Sequence, residues 1–243
     1  MRILITNDDG IHAKGLLPLA QWAQRLGEVT VIAPKFEQSG KSHGIEIHKS
    51  FEMKKVDFAP GIEAYALDST PADCVRVAIL GMKKQFDLVI SGINRGLNIG
   101  RDTIYSGTVG AIFEANALGV PALAFSTSPA YYDQAVSHMD EIYDYICRNR
   151  LMEQSDLYNI NIPDHPQGFR ITRQGGPYYS DNFDFLENDM VMPCGIDVFQ
   201  PSNTKDLDTD AVLVHHLISI SPLTIDRTNH AVFAQLKTLN EEN

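Results

Sequence analysis

The sequence predicts an α/β fold: a mostly parallel sheet with helices on both faces, continued by a C-terminal β-hairpin and tail. Three observations predict it. Apolar runs and helical stripes alternate through residues 1–162, the pattern of parallel strands joined by crossover helices. The first run, Ile3-Leu4-Ile5-Thr6, has strand length and meets the turn residues Asn7-Asp8-Asp9-Gly10 at once. Residues 163–243 lose the alternation, and 175–201 mix glycine, aromatics and acids as an extended hairpin does. The 1–162 core is therefore Rossmann-like, and 163–243 is a hairpin and C-terminal extension of one domain.

The elements follow in order. Leu16, Leu19, Ala20 and Ala23 mark the buried face of a helix, and Val29-Thr30-Val31-Ile32-Ala33 is the next strand. Residues 34–49 form a looser segment with short edge strands, and Ala64-Tyr65-Ala66-Leu67 is a further strand. Thr70-Pro71-Ala72-Asp73 reads as a helix start, with a capping threonine, proline at the first helical position and an early acid. Val75, Ala78, Ile79 and Met82 give that helix its apolar stripe. Asp87-Leu88-Val89-Ile90-Ser91 and Pro121-Ala122-Leu123-Ala124-Phe125 are strands. Between them, Val109, Ile112 and Phe113 repeat at helical spacing. A helix is expected over 133–149 and a strand over 157–162. Val212-Leu213-Val214 and Leu217-Ile218-Ser219-Ile220 read as strands, and 226–243 as a weakly helical tail.

Composition narrows the function classes. Hydrophobic residues make up 44% and charged residues 21%, so the chain has ordinary globular composition. Twenty lysines and arginines against 31 acids leave a formal net charge of −11. That balance argues against polymeric nucleic acid or an anionic membrane as partner, both of which need clustered positive charge. Cys74, Cys147 and Cys194 are odd in number and show no zinc spacing, as in a reducing cytoplasmic compartment. Met1-Arg2 leads straight into the first apolar run, so no signal peptide is expected, and no run is long enough to span a bilayer.

Four stretches carry the chemistry. Asp8 and Asp9 follow the first strand, and ligands of open α/β sheets bind beyond the carboxyl ends of strands. Two carboxylates there repel unless a hard cation such as Mg²⁺, Mn²⁺ or Ca²⁺ lies between them; a capping aspartate with a solvated neighbour is the alternative. Gly92-Ile93-Asn94-Arg95-Gly96-Leu97-Asn98-Ile99-Gly100 lets backbone approach a ligand and offers amide oxygens, and reads equally as an irregular turn. Tyr105-Ser106-Gly107-Thr108 opens a helix, where free N–H groups and hydroxyls suit phosphate or simply cap the helix. Ser39-Gly40 follows the second strand and shares the same crevice. His12, His43, Lys41 and Asp102 lie near these loops, and His215-His216 is read in a strand, where neighbours face opposite sides.

Taken together, Asn7-Asp8-Asp9-Gly10, Ala33-Pro34 with Ser39-Gly40, the helix start from Ser69 to Cys74, and the blocks from Ser91 to Asp102 and Tyr105 to Ala111 closely resemble the SurE family. Ser219-Ile220-Ser221-Pro222-Leu223 is a weaker echo. The resemblance implies a metal-dependent 5′/3′-nucleotidase acting on nucleoside monophosphates with one divalent cation per subunit. It implies Asp8, Asp9, Ser39 and Asn94 as cation ligands, and Ser106, Gly107 and Thr108 beside the phosphate. Catalytic duty then falls on Asp8, Asp9 and Ser106, with Asp9 as ligand and base. A homodimer or homotetramer, built partly by exchanging C-terminal segments, is also implied. Two places depart from the family pattern: Asp68-Ser69, and Lys35-Phe36-Glu37-Gln38, which lacks the usual acid-then-arginine before Ser39.

Rival readings lack their signatures. Aspartyl-phosphate enzymes resembling haloacid dehalogenases separate their two carboxylates by one residue, whereas Asp8 and Asp9 are contiguous. Neither GxxxxGK[ST] nor GxGxxG occurs, against a P-loop kinase or a dehydrogenase. A non-catalytic nucleotide- or metal-binding module on the same fold is the alternative, disfavoured by oxygen donors at all four ligand positions.

Overall fold

A computed structural model describes residues 1–202 and 204–241. Strands β1 (Arg2–Thr6), β2 (Glu28–Pro34), β3 (Met53–Lys55), β4 (Glu63–Leu67), β5 (Leu88–Arg95), β6 (Ala122–Thr127), β7 (Leu157–Ile162), β8 (Phe169–Ile171) and β11 (Ile218–Pro222) form the main sheet. Its order among the described residues is β3-β4-β2-β1-β5-β6-β7-β11-β8. Pairings from β4 through β7 are parallel; β3 on β4 and β11 on β7 are antiparallel. A separate antiparallel hairpin pairs β9 (Tyr179–Phe185) with β10 (Val191–Asp197).

Burial of the strands on both faces explains their near-continuous apolar runs. Ile3 and Ile5 join one core with Val31, Ile90 and Phe125 beneath α1 (Leu16–Ala23) and α4 (Met139–Arg148). Leu4 points the other way, to a second core with Ile32, Val75, Val89, Val109 and Ile112. That core lies beneath α2 (Pro71–Arg76) and α3 (Gly107–Ala117). The strand order reverses between β1 and β5, so the loops after these strands flank the switch-point crevice.

Local sequence sets the helix starts. Thr70 caps α2 by accepting the Asp73 amide at 3.1 Å, with Pro71 at the first helical position. Ser106 caps α3 by accepting the Val109 amide at 3.1 Å.

Four expectations are corrected. Beyond Pro34, the end of β2, residues 35–49 contain no strand, and the sheet edge is instead β3. The helix expected over 133–149 begins as a 3₁₀ turn, Ala135–His138, and becomes α-helical at Met139. The stripe after α2 continues as a π turn over Val77–Gly81. Val212-Leu213-Val214 is not a strand, because α5 (Asp208–Leu213) occupies it. His215 and His216 therefore sit in a turn, His216 with positive φ, and the opposite-faces argument does not apply to them. The strand expected over 217–220 is β11, which inserts between β7 and β8 and buries Ile218 and Ile220. Helix α6 (His230–Leu236) matches the expected helical tail, and Asn203, Glu242 and Asn243 lie outside the described residues.

Candidate active site

Asp8, Asp9, Ser39, Asn94 and Ser106 line one cleft of about 300 Å³, with Glu37, Gly40, Arg95, Asn98, Asp102 and Tyr105. The loop after β1 supplies the first two. Asn7 shapes it, accepting the Gly10 amide at 3.1 Å and donating to the Gly10 carbonyl at 3.0 Å. Gly10 takes φ +98°, a region that residues with a side chain rarely adopt.

Asp8 is 6% exposed. Its Oδ2 accepts the Thr108 amide at 3.1 Å, and its Oδ1 accepts the Thr108 hydroxyl in a short bond. Burial pushes the Asp8 carboxyl up to about 6, against the pull of the Thr108 hydroxyl, and the Asp9 charge adds to the rise. Asp9 accepts the Arg95 amide at 3.0 Å. Its carboxyl is also raised by burial, with Glu37 adding and the Arg95 amide opposing. The cleft thus concentrates carboxylates, and the cation that lines it, Arg95, is exposed.

That donor set fits a hard divalent cation. Among the described residues no three His, Cys, Asp or Glu side chains cluster as a metal site. The same cleft also offers neutral oxygens on Ser39 and Asn94 beside the carboxylate pair. Asn94 donates its Nδ2 to the Gly96 carbonyl at 2.7 Å, leaving Oδ1 as its acceptor. Ser39 donates to Glu37 Oε1 at 2.6 Å.

The start of α3 closes the cleft. Gly107 packs against Asp8 so tightly that a Cβ there would lie 2.9 Å from Asp8 Cβ. The Ser106 amide donates to the Thr103 carbonyl at 3.3 Å and the Thr108 amide to Asp8. Ser106's hydroxyl proton and Gly107's amide are the donors of this turn not committed to those bonds.

Of the other residues near these loops, Asp102 lines the cleft and accepts the Tyr179 amide at 2.8 Å, tying the hairpin to it. His12 lines a neighbouring cleft of about 410 Å³ that shares Asp9, Glu37 and Arg95. Lys41 lines a different cavity, and His43 turns away to Glu114. Sequence reasoning left Glu37, Arg95, Asn98 and Tyr105 unassigned. Asn98 had a signal, since it lies within the glycine–asparagine block. Its amide donates to Asn161 Oδ1 and its Nδ2 to Ser126 Oγ, both at 2.8 Å. Asn159 and Asn161 in turn donate to its carbonyl, so a buried polar net fixes the loop.

Comparison with known proteins identifies the family. The family model described as "Survival protein SurE" matches residues 3–181. A 5′-nucleotidase SurE from Carboxydothermus hydrogenoformans is 38% identical, covering 98% of this chain and 96% of its own. Another from Clostridium beijerinckii is 32% identical over the whole of both chains. The crystal structure of the SurE protein from Aquifex aeolicus superposes with a TM-score of 0.81 at 30% identity, covering 99% of this chain and all of that one. The chain belongs to the survival protein SurE family.

Proposed function

We propose that the chain is a divalent-metal-dependent phosphomonoesterase that hydrolyses nucleoside 5′- and 3′-monophosphates to nucleoside and phosphate. One observation carries the reading. Two contiguous carboxylates, two neutral oxygen donors and Ser106, the cap of α3, share one cleft at the sheet's switch point. The full-length relatives named 5′-nucleotidase SurE support the substrate class.

Asp8, Asp9, Ser39 and Asn94 hold the cation, Mg²⁺ or Mn²⁺ by donor type. When bound, such a cation stabilises charge on a phosphate oxygen and acidifies a water. Thr108 braces Asp8 from behind with two hydrogen bonds, so that the carboxylate keeps one orientation. The Ser106 hydroxyl and the Gly107 amide hold phosphate oxygens in line with the attacking water. Asp9 doubles as ligand and base, taking the water's proton.

Self-association belongs to the same proposal. Phe183, Phe185, Met190, Met192 and Ile196 are exposed along the β9–β10 hairpin, with Phe185 at 86%, and α6 exposes Phe233 and Leu236. A lone two-stranded hairpin is marginal in water, and exposed apolar surface of this kind marks an interface. Residues 163–243 then serve as the assembly extension of a single domain that forms a homodimer or homotetramer. Three free cysteines suit a cytoplasmic location. Among the described residues no helix is long and apolar enough to cross a membrane.

Phosphate release from a panel of nucleoside 5′- and 3′-monophosphates tests the reading, using chelator-stripped protein with Mn²⁺ or Mg²⁺ added back. Release that requires the metal and ranks the two positions supports it. No release from any nucleotide by folded, metal-loaded protein overturns it in favour of a binding module.

A further inference from the structure

Ser39 stands on a loop tip held on its near side by Gln38, whose amide donates to the Asp8 carbonyl at 2.7 Å. Ser39 is exposed, its hydroxyl donates to Glu37 Oε1, and a Cβ on Gly40 would touch nothing within 4 Å. A neutral hydroxyl on such a tip is a weak ligand, because ordering the loop costs conformational entropy each time the cation binds. Holding the far side of the tip as well lowers that cost by fixing the loop beforehand.

The anchor lies three to seven residues further on. His43 Nε2 sits 2.7 Å from Glu114 Oε2, and Arg76 Nη1 donates to Glu114 Oε1 at 2.8 Å. Glu114 is 6% exposed, and a buried carboxylate is tolerable only when paired and hydrogen-bonded. Both of its oxygens are used. Asp73 gives a second fastening, accepting the Glu46 amide at 2.9 Å. Ser42 gives a third, donating through its amide to the Tyr105 carbonyl at 2.9 Å and through its hydroxyl to the Ile104 carbonyl at 2.6 Å. Gly110 makes room for this approach, since a Cβ there would collide with the Ser42 carbonyl. The segment that starts at Ser39 is thus fastened to α2, to α3 and to the turn before Ser106.

We propose that Glu114, acting through His43, is a positioning residue that holds the Ser39 loop within reach of the cation and in register with the Ser106 turn. The inference rests on the metal-site reading above. It assigns a role to a histidine that lines no part of the cleft and to a carboxylate two helical turns from the phosphate turn.

The test compares His43→Ala, His43→Gln, Glu114→Gln and Ser39→Ala with the wild-type protein. The readouts are the Mn²⁺ dissociation constant, from free-Mn²⁺ electron spin resonance, and hydrogen exchange of residues 39–46 in chelated protein. His43→Ala and Glu114→Gln are expected to weaken Mn²⁺ about tenfold or more and to speed exchange in that segment. Excess Mn²⁺ restores kcat, and His43→Gln, which keeps a donor for Glu114, retains most of the affinity. In a Ser39→Ala background the same changes add little, because the ligand they position is gone. His43 is only half-buried, so its variants carry the test should Glu114→Gln fail to fold.

Folded variants that bind Mn²⁺ within about twofold of the wild type overturn the inference while leaving the metal reading intact. An equal loss in the Ser39→Ala background overturns it too. Wild-type protein that binds no Mn²⁺ overturns the metal reading and the inference together.

Discussion

Thr108 donates to Asp8 twice, through its amide to one carboxylate oxygen at 3.1 Å and through its hydroxyl to the other. The first turn of α3 therefore holds the first carboxylate of the site directly, across 100 residues of sequence. Replacing Thr108 by valine keeps the shape and removes the hydroxyl. With Asp8 as the proposed cation ligand, loss of this oriented hydrogen bond is expected to lower kcat/KM by about tenfold or more. Thr108→Ser, which keeps the donor, is expected to stay near wild type. Steady-state phosphate release distinguishes them.

Gly107 admits this contact. A Cβ there would lie 2.9 Å from Asp8 Cβ, 3.0 Å from Asp8 Oδ2 and 3.3 Å from Pro71 Cγ. Alanine favours helices over glycine, yet the neighbour is the base of a fixed side chain and cannot swing away. Gly107→Ala is expected to lose about 1–3 kcal/mol in denaturant unfolding. Activity is expected to fall further than stability, because Asp8 is displaced.

The acid limb of the stability curve reports on Glu114. The His43 hydrogen bond holds this carboxyl below the ordinary glutamate value, with burial opposing and Arg76 adding to the effect. A depressed folded value means that the stabilisation is present above the unfolded value and is lost as pH falls through the folded one. The Tm difference between wild type and Glu114→Gln should therefore hold steady near neutrality and close as pH drops below the ordinary 4.5. A gap that widens in acid contradicts the pairing.

The hairpin offers a prediction about assembly. Phe183 and Phe185 project from β9 into solvent in the single chain. Changing both to serine is expected to reduce the assembled mass in light scattering coupled to size exclusion. Among the described residues the main sheet shares no strand with the hairpin, so the monomer should stay folded.

Much of this was legible because local chemistry and tertiary structure agree. The apolar β1 run with Asn7-Asp8-Asp9-Gly10 after it places two carboxylates at a strand end, and the fold keeps them there. Thr70 with Pro71, and Ser106, behave as the caps their residue types favour. What was not legible is non-local. Val212-Leu213-Val214 has strand propensity, yet Asp208 accepts amides from Gly100, Gly175 and Thr209, and that pinning fixes a helix start just before it. His43 finds Glu114 71 residues away, and Arg95 enters the site through its backbone amide, a group without sequence signature. Thr108 reads as a phosphate donor from its neighbours; its partner Asp8 becomes visible only in three dimensions.

The most direct measurement is a Mn²⁺ titration of chelator-stripped protein with phosphate release from a nucleoside 5′-monophosphate followed in the same samples. One Mn²⁺ bound per chain, with release rising in step and both lost in Asp9→Asn, is the predicted result. Release that proceeds at full rate without metal, or survives unaltered in Asp9→Asn, would contradict it.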